Sequence, residues 1–286
     1  MSLDINTYRE LTEDELNSYN GTLGYLVFLD SIQTSNLSYI KTLVTAPEIY
    51  LCLNEQISQE TTHSASYQVM IETILEKDKR DSIYDFWRDD PVLLERCKYI
   101  GALYQEWIDD KENGEKYFYS LLADYLLESI YFYMGFNFFH NLAARHLMIG
   151  TNDMIKYIRK DELTHVYLFQ RLIKAAMEVF PHSKERIYKM FDEAVKQEIK
   201  WMGHITQDNI LGMSQEATTE YLKWLANQRL KSIGLNPIYS GELKNRYSHL
   251  ERIADESGDG HVKSNFFDST VTSYNTSNVL NGWEDF

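Results

Sequence analysis

The chain has 286 residues, a formal net charge of −15, and only 13 glycines and 4 prolines. Gly and Pro average about 7% and 5% of a protein and supply the turns of β-sandwiches and barrels, so this composition argues against a turn-rich β fold and predicts a few long helices. The acidic balance argues against a nucleic-acid partner, which needs basic side chains. Without an 18-residue apolar run, no membrane-spanning helix is expected, and we expect a cytoplasmic protein.

The cysteines and glycines exclude further classes. Cys52 and Cys97 are the only cysteines, too few for a disulfide scaffold or a zinc knuckle, and we interpret them as buried thiols in a reducing compartment. No Gly-x-Gly-x-x-Gly or other Gly-rich phosphate loop is present, which argues against the nucleotide-binding α/β classes.

Helix start and stop signals divide the chain into long helical segments. A capping box opens the first segment at Thr12, Pro47 suits a first helical turn, Gly150 is expected to end a helix, and Thr151 or Asn152 to cap the next one. The predicted helices cover residues 12–45, 47–75, 82–111 with an interruption at Pro91, 115–148, 151–179, 183–207 and 214–233. We predict a short segment over 1–11, one helical domain over 12–253 and a tail over 254–286.

The tail differs in character from the rest of the chain. Residues 254–286 carry six acids and one lysine, and large apolar residues including Trp283 and Phe286 are scattered among them. A purely solvating disordered tail is one interpretation. We favour the other, a disordered tail that docks on a partner through its aromatic residues.

Two Glu-x-x-His motifs, Glu60–His63 and Glu162–His165, lie within apolar helical stripes. Residues at i, i+3 and i+7 share one helix face, and an apolar face packs against the core. Because an unpaired buried carboxylate is costly, something must compensate these two acids. Two helices that present the same pair suggest a shared cation.

Two more acids, Asp30 and Glu128, interrupt the apolar stripes of two other predicted helices. Four acids and two histidines on four helices form the ligand set of a carboxylate-bridged dimetal site in a ferritin-like bundle. Oxygen-rich ligands with one imidazole per metal suit iron or manganese. A helical scaffold without metal leaves these core carboxylates unexplained.

Four segments resemble the small, radical-generating subunit of class I ribonucleotide reductase, in order and in spacing. They are Leu29-Asp30-Ser31-Ile32-Gln33, Glu60-x-x-His63-Ser64-x-Ser66-Tyr67, Leu127-Glu128-Ser129-Ile130 with Phe132-Tyr133, and Arg159-Lys160-Asp161-Glu162-x-x-His165. The resemblance runs from about Thr12 to the C-terminus. It implies an all-α, ferritin-like bundle with a dimetal-carboxylate core and a disordered C-terminal tail.

The resemblance also implies a division of the ligands between two metal ions. Asp30, Glu60 and His63 would hold one ion, Glu128, Glu162 and His165 the other, and Glu60 and Glu162 would bridge them. Two iron ions are expected, and two manganese ions remain open because the ligand types permit both.

Other roles follow from the same resemblance. Tyr67 matches the tyrosine that becomes the stable radical, and it lies one helical turn beyond His63 on the ligand face. Asp161 would accept a hydrogen bond from the ring of His63 and tune it. Phe132 and Phe136 match the apolar pocket around the radical, although ordinary core aromatics fit the same positions.

The implied activity is that of a thioredoxin- or glutaredoxin-dependent ribonucleoside-diphosphate reductase. The chain would oxidise Tyr67 and send the oxidising equivalent to a cysteine on a separate large subunit, which reduces the ribonucleotide. Tyr274 matches a tail tyrosine that relays the radical, and residues 266–286 match the peptide that docks on the large subunit. A homodimer is expected.

One departure from the family concerns a relay tryptophan. In the family it lies more than 29 residues before the first metal-binding Asp. Here only 29 residues precede Asp30, and none of them is Trp. The segment is encoded separately, or the sequence is truncated, or the relay differs. Two other functions stay open: a different ferritin-like protein, such as an iron store or dimetal oxidase, and an inactive homologue that only binds the large subunit.

Overall fold

The structure is a computed structural model that describes residues 3–255, so Tyr274, the predicted relay residue, and residues 266–286, the predicted docking segment, lie outside the described residues. Within that range every regular element is helical, which confirms the predicted all-α fold, and no helix is long and apolar enough to cross a membrane. The helices are α1 (Asp4–Tyr8), α2 (Glu13–Ile40), α3 (Pro47–Ile74), α4 (Lys77–Asp89), α5 (Pro91–Ile108), α6 (Gly114–Leu126), α7 (Tyr133–Ala144), α8 (Ile149–Val179), α9 (Lys184–Thr206), α10 (Gln215–Ser232) and α11 (Ser248–Asp255).

The predicted helix starts follow from local capping chemistry. The Thr12 hydroxyl accepts the N–H of Glu15 at 3.3 Å while the Glu15 carboxylate accepts the N–H of Thr12 at 2.9 Å, which confirms the capping box. Pro47 opens α3. Pro91 opens α5 directly after Asp90, whose carboxylate accepts two free N–H groups of the first turn. Each cap satisfies donors that the helix itself cannot.

The single helix predicted over residues 115–148 is wrong at two points. A π-helical turn, Leu127–Tyr131, separates α6 from α7, and α7 ends at Ala144. Gly150 does not end a helix but lies in the first turn of α8.

The cap of α8 is also not the predicted Thr151 or Asn152. Met148 occupies the N-cap position in a left-handed conformation, with φ of 51°, and offers no side-chain cap. The carboxylate of Asp4, on α1, accepts the N–H of Gly150 at 3.0 Å and the N–H of Thr151 at 2.6 Å. An acid near a helix N-terminus is stabilising, and here it comes from a segment distant in sequence.

The centre of the molecule is the segment from Tyr117 to Leu142, in which every residue is buried. Helices α2, α8 and α9 pack against this segment, and α3 packs against α2 and α8. Glu128 lies in the π turn of this central segment. The fold therefore places a carboxylate where three other helices can reach it.

The prediction that both cysteines are buried is wrong for Cys52, which is exposed on α3, whereas Cys97 is buried. Burial raises the pKa of the Cys97 thiol to about 12. Cys97 is therefore a protonated core side chain at neutral pH.

We predict that replacement by alanine changes the free energy of unfolding in opposite directions at two helical glycines. A Cβ on Gly24 would lie 2.7 Å from the Ile83 carbonyl oxygen, whereas a Cβ on Gly101 would have nothing within 4 Å. Gly101→Ala should raise the free energy of unfolding by about 0.5–1 kcal/mol through helix propensity. Gly24→Ala should lower it by about 1–3 kcal/mol, because α4 must move away from α2. Urea denaturation of both variants checks the signs, and equal gains would contradict the close α2–α4 packing.

Candidate metal centre

Four helical segments bring the six predicted ligand residues to one buried place. Each of the six side chains belongs to a residue with 2% or less of its surface exposed. They are Asp30 on α2, Glu60 and His63 on α3, Glu128 on the π turn, and Glu162 and His165 on α8.

These residues form two overlapping groups within the described part of the chain. One group is Asp30, Glu60, His63 and Glu162, and the other is Glu60, Glu128, Glu162 and His165. In each group, one potential ligand atom from every residue lies within 4.8 Å of the others. Glu60 and Glu162, the two residues predicted to bridge the ions, belong to both groups.

Both histidines turn Nδ1 toward the centre of the site and Nε2 away from it. Nδ1 of His63 lies 3.0 Å from Oε1 of Glu162, and Nδ1 of His165 lies 3.0 Å from Oε2 of the same carboxylate. Outside, Nε2 of His63 is 3.3 Å from Asp161 Oδ2, and Nε2 of His165 is 2.9 Å from Gln59 Oε1. Outer partners that accept from Nε2–H leave the Nδ1 lone pair free to bind a metal.

The carboxylate oxygens at the centre fit a cation because most of them have no hydrogen-bond partner in the protein. Both oxygens of Asp30, both of Glu60 and Oε2 of Glu128 are buried without a hydrogen-bond partner. Buried polar atoms are otherwise almost always hydrogen-bonded, and a buried unpaired charge is costly. With one imidazole per group, these oxygen donors suit iron or manganese, so the residues present fit a pair of such ions.

The crowding of the acids has a direct electrostatic consequence. Burial and the neighbouring Glu60 and Glu162 carboxylates hold the pKa of Asp30 well above its ordinary value, and burial and the same two neighbours do so for Glu128. Burial alone would lower the pKa of His165, but Glu162 and Glu128 raise it well above the ordinary value. Protons thus compensate the charge when no cation is bound. Metal binding must displace them, so metal affinity should rise with pH.

Three glutamines that the sequence analysis did not assign to the site also contact it. Gln33 Nε2 and Gln56 Nε2 each donate a 2.7 Å hydrogen bond to Oε1 of Glu128, and Gln59 is the outer partner of His165. Each lies three or four residues from a predicted ligand on its own helix. That spacing places it on the ligand face, and this is the signal that could have found it.

Tyr67 lies one helical turn beyond His63 and is completely buried, and its hydroxyl has no hydrogen-bond partner. Burial and the nearby carboxylates, Asp30 first among them, hold the pKa of Tyr67 well above its ordinary value. The side chain is therefore a neutral phenol beside the acidic cluster, shielded from water.

Phe132 and Phe136 are also completely buried, and their rings stack with centroids 6.0 Å apart. Both follow the π turn that carries Glu128. The role of these two phenylalanines as an apolar pocket around a radical stays a prediction.

A helical bundle whose core holds four carboxylates and two imidazoles on four helical segments is a ferritin-like protein of the dimetal-carboxylate class. Its sequence matches the family model "Ribonucleotide reductase, small chain" over residues 1–246. The chain belongs to this family, and it is the small subunit of a ribonucleoside-diphosphate reductase.

Individual relatives agree with the family model. The beta subunit of ribonucleoside-diphosphate reductase from Treponema pallidum is 39% identical over 285 residues, which cover 98% of this chain and 81% of the relative. The beta subunit from Halalkalibacterium halodurans is 31% identical, covering 100% of this chain and 83% of the relative. The ribonucleotide reductase R2 subunit from Clostridium botulinum superposes with a TM-score of 0.83 at 36% identity, covering 88% of this chain and 80% of that one.

Metal binding should stabilise the protein, because it removes the repulsion among the acids. At a free Mn(II) concentration of 100 times Kd, the free energy of unfolding should rise by about 2.7 kcal/mol. Glu60→Gln, which alters a residue of both groups, should abolish the gain, whereas Glu55→Gln, exposed on the same helix, should keep it. Thermal unfolding with and without Mn(II) measures the effect. A wild-type protein that gains nothing from metal would contradict the site.

Proposed function

We propose that this small subunit assembles a dimetal–tyrosyl radical cofactor and supplies the radical to a large subunit that reduces ribonucleoside diphosphates. The position of Tyr67 carries the proposal. It lies one turn from His63 on the ligand face of α3, is buried completely and has an unpartnered hydroxyl beside the acidic cluster. A thioredoxin- or glutaredoxin-dependent reaction is part of the proposal, and the expected cytoplasmic location stays a prediction.

The six clustered residues hold the two ions in this proposal. Asp30 and His63 would hold one ion, Glu128 and His165 would hold the other, and Glu60 and Glu162, which belong to both groups, would contact both. When bound and reduced, the metal pair together with an oxidant supplies the one-electron oxidation of a phenol. Iron is the expected metal, and manganese fits the same donors.

The protein around Tyr67 controls what happens to the radical. The high pKa of Tyr67 keeps the phenol protonated before oxidation, so the electron and the proton must both leave to give a neutral radical. Asp30 is the carboxylate with the largest electrostatic effect on Tyr67, so the charge at this ligand helps to keep the phenol neutral. Phe132 and Phe136 exclude water and reductants.

The route out of the site begins at His63. Its Nε2–H faces Asp161, whose side chain is 30% exposed, so this hydrogen bond connects a buried ligand to the surface. In the proposal, Asp161 tunes His63 and participates in the relay, and Tyr274 continues the relay in the tail. Residues 266–286 dock on the large subunit, and the small subunit forms a homodimer, as its family typically does.

Replacement of Tyr67 by Phe tests the radical assignment. Tyr67→Phe should bind metal as the wild type does but should give no tyrosyl signal in electron paramagnetic resonance spectra after exposure to Fe(II) and oxygen. Tyr133→Phe is the matched control, because Tyr133 is also buried with an unpartnered hydroxyl, and it should retain the signal. A tyrosyl signal that persists in Tyr67→Phe would refute the assignment.

Deletion of residues 279–286 tests the docking role of the tail. The truncated protein should form the tyrosyl radical normally but lose measurable binding to the large subunit in sedimentation or calorimetry, because aromatic anchors dominate small interfaces. A synthetic peptide of residues 266–286 should compete with the intact chain. Unchanged binding after deletion would place the docking surface elsewhere.

A further inference from the structure

The two halves of the metal centre differ in the groups that surround their ligands. On the Asp30 side, both carboxylate oxygens of Asp30 are free of hydrogen bonds. On the Glu128 side, Gln33 and Gln56, from two different helices, both donate to Oε1 at 2.7 Å. A carboxylate oxygen offers about two lone-pair positions, so Oε1 is fully used and only Oε2 of Glu128 remains for a metal.

The amide of Gln33 is held in this orientation by its own partners. The Tyr104 hydroxyl donates to Gln33 Oε1 at 3.0 Å, which turns Nε2 toward Glu128. Tyr104 also lies 3.2 Å from Asp124 Oδ1, which accepts from Asn36 at 3.1 Å. All of these side chains are buried, so the arrangement is built into the core and does not depend on solvent.

The outer partners of the two histidines differ in charge. Nε2 of His63 faces the carboxylate of Asp161, whereas Nε2 of His165 donates to the neutral amide oxygen of Gln59. A carboxylate partner makes a histidine a stronger metal ligand than a neutral partner does, and such outer contacts change metal affinity about 10–100-fold.

We propose that Gln33, Gln56 and Gln59 are positioning residues that make the two metal positions unequal. They restrict Glu128 to one ligand oxygen and leave His165 with a neutral partner. The position at Glu128 and His165 is therefore the weaker one, and the position at Asp30 and His63 fills first. The inference rests on the proposed dimetal function and adds an order of loading to it.

The test measures occupancy directly in crystals of the full chain soaked with one equivalent of Mn(II), using anomalous scattering at each position. In the wild type, occupancy should be higher at Asp30 and His63. Gln59→Glu supplies the missing carboxylate without a change of shape, and it should raise the affinity of the Glu128 and His165 position about tenfold or more, which brings the occupancies toward equality.

A matched control separates this local effect from net charge. Gln68→Glu makes the same change on an exposed face of α3 and should leave the ratio of occupancies as in the wild type. Calorimetric Mn(II) titration in solution should give two separated binding steps in the wild type and in Gln68→Glu, and a narrower separation in Gln59→Glu.

A second variant tests the role of the paired amides. In Gln33→Met/Gln56→Met, Oε1 of Glu128 loses both hydrogen bonds, so crystals loaded with two equivalents should have both Glu128 oxygens turned to the ion. Equal or reversed occupancy in the wild type, no change in Gln59→Glu, or a single-oxygen Glu128 in the double variant would overturn the inference while the dimetal site stands. Absence of a metal pair in every protein would overturn the proposed function as well.

Discussion

The burial of four carboxylates and two imidazoles within one apolar bundle is the constraint on which the rest of this structure depends. Taking such charges out of water is strongly unfavourable unless they are paired. The protein offers the inner oxygens of Asp30 and Glu60 no hydrogen bond at all. Protons can offset part of the repulsion, whereas two divalent cations would balance the four negative charges. The cluster is therefore expected to destabilise the metal-free protein and to stabilise the metal-loaded protein.

The fold must hold this cluster in place although the burial of its charges is energetically unfavourable. The all-buried segment from Tyr117 to Leu142 provides the apolar centre, and its π turn places Glu128 opposite the paired ligands of α3 and α8. π turns are rare, and they occur frequently at functional sites. The beginning of α8 is fixed by Asp4, which helps to orient the helix that carries Glu162 and His165.

Much of the fold and of the site could be predicted because it depends on local chemistry. The capping box at Thr12, the prolines that open helices and the two Glu-x-x-His motifs all act within one helical turn. The sequence did not reveal the π turn or the cap from Asp4, which joins segments far apart in the chain. The short helices α1 and α11 were not predicted. The roles of Gln33, Gln56 and Gln59 were also missed, because a polar residue near a ligand can be assigned a partner only once the neighbouring helix is in place.

We propose that these six side chains form one dinuclear site. A crystal structure of the metal-loaded protein, with anomalous scattering to locate the ions, tests it most directly. We expect two ions about 3.5–4 Å apart, one bound by Nδ1 of His63 and the other by Nδ1 of His165, with Glu60 and Glu162 contacting both. A single ion, or ions bound through Nε2 of the histidines, would contradict it.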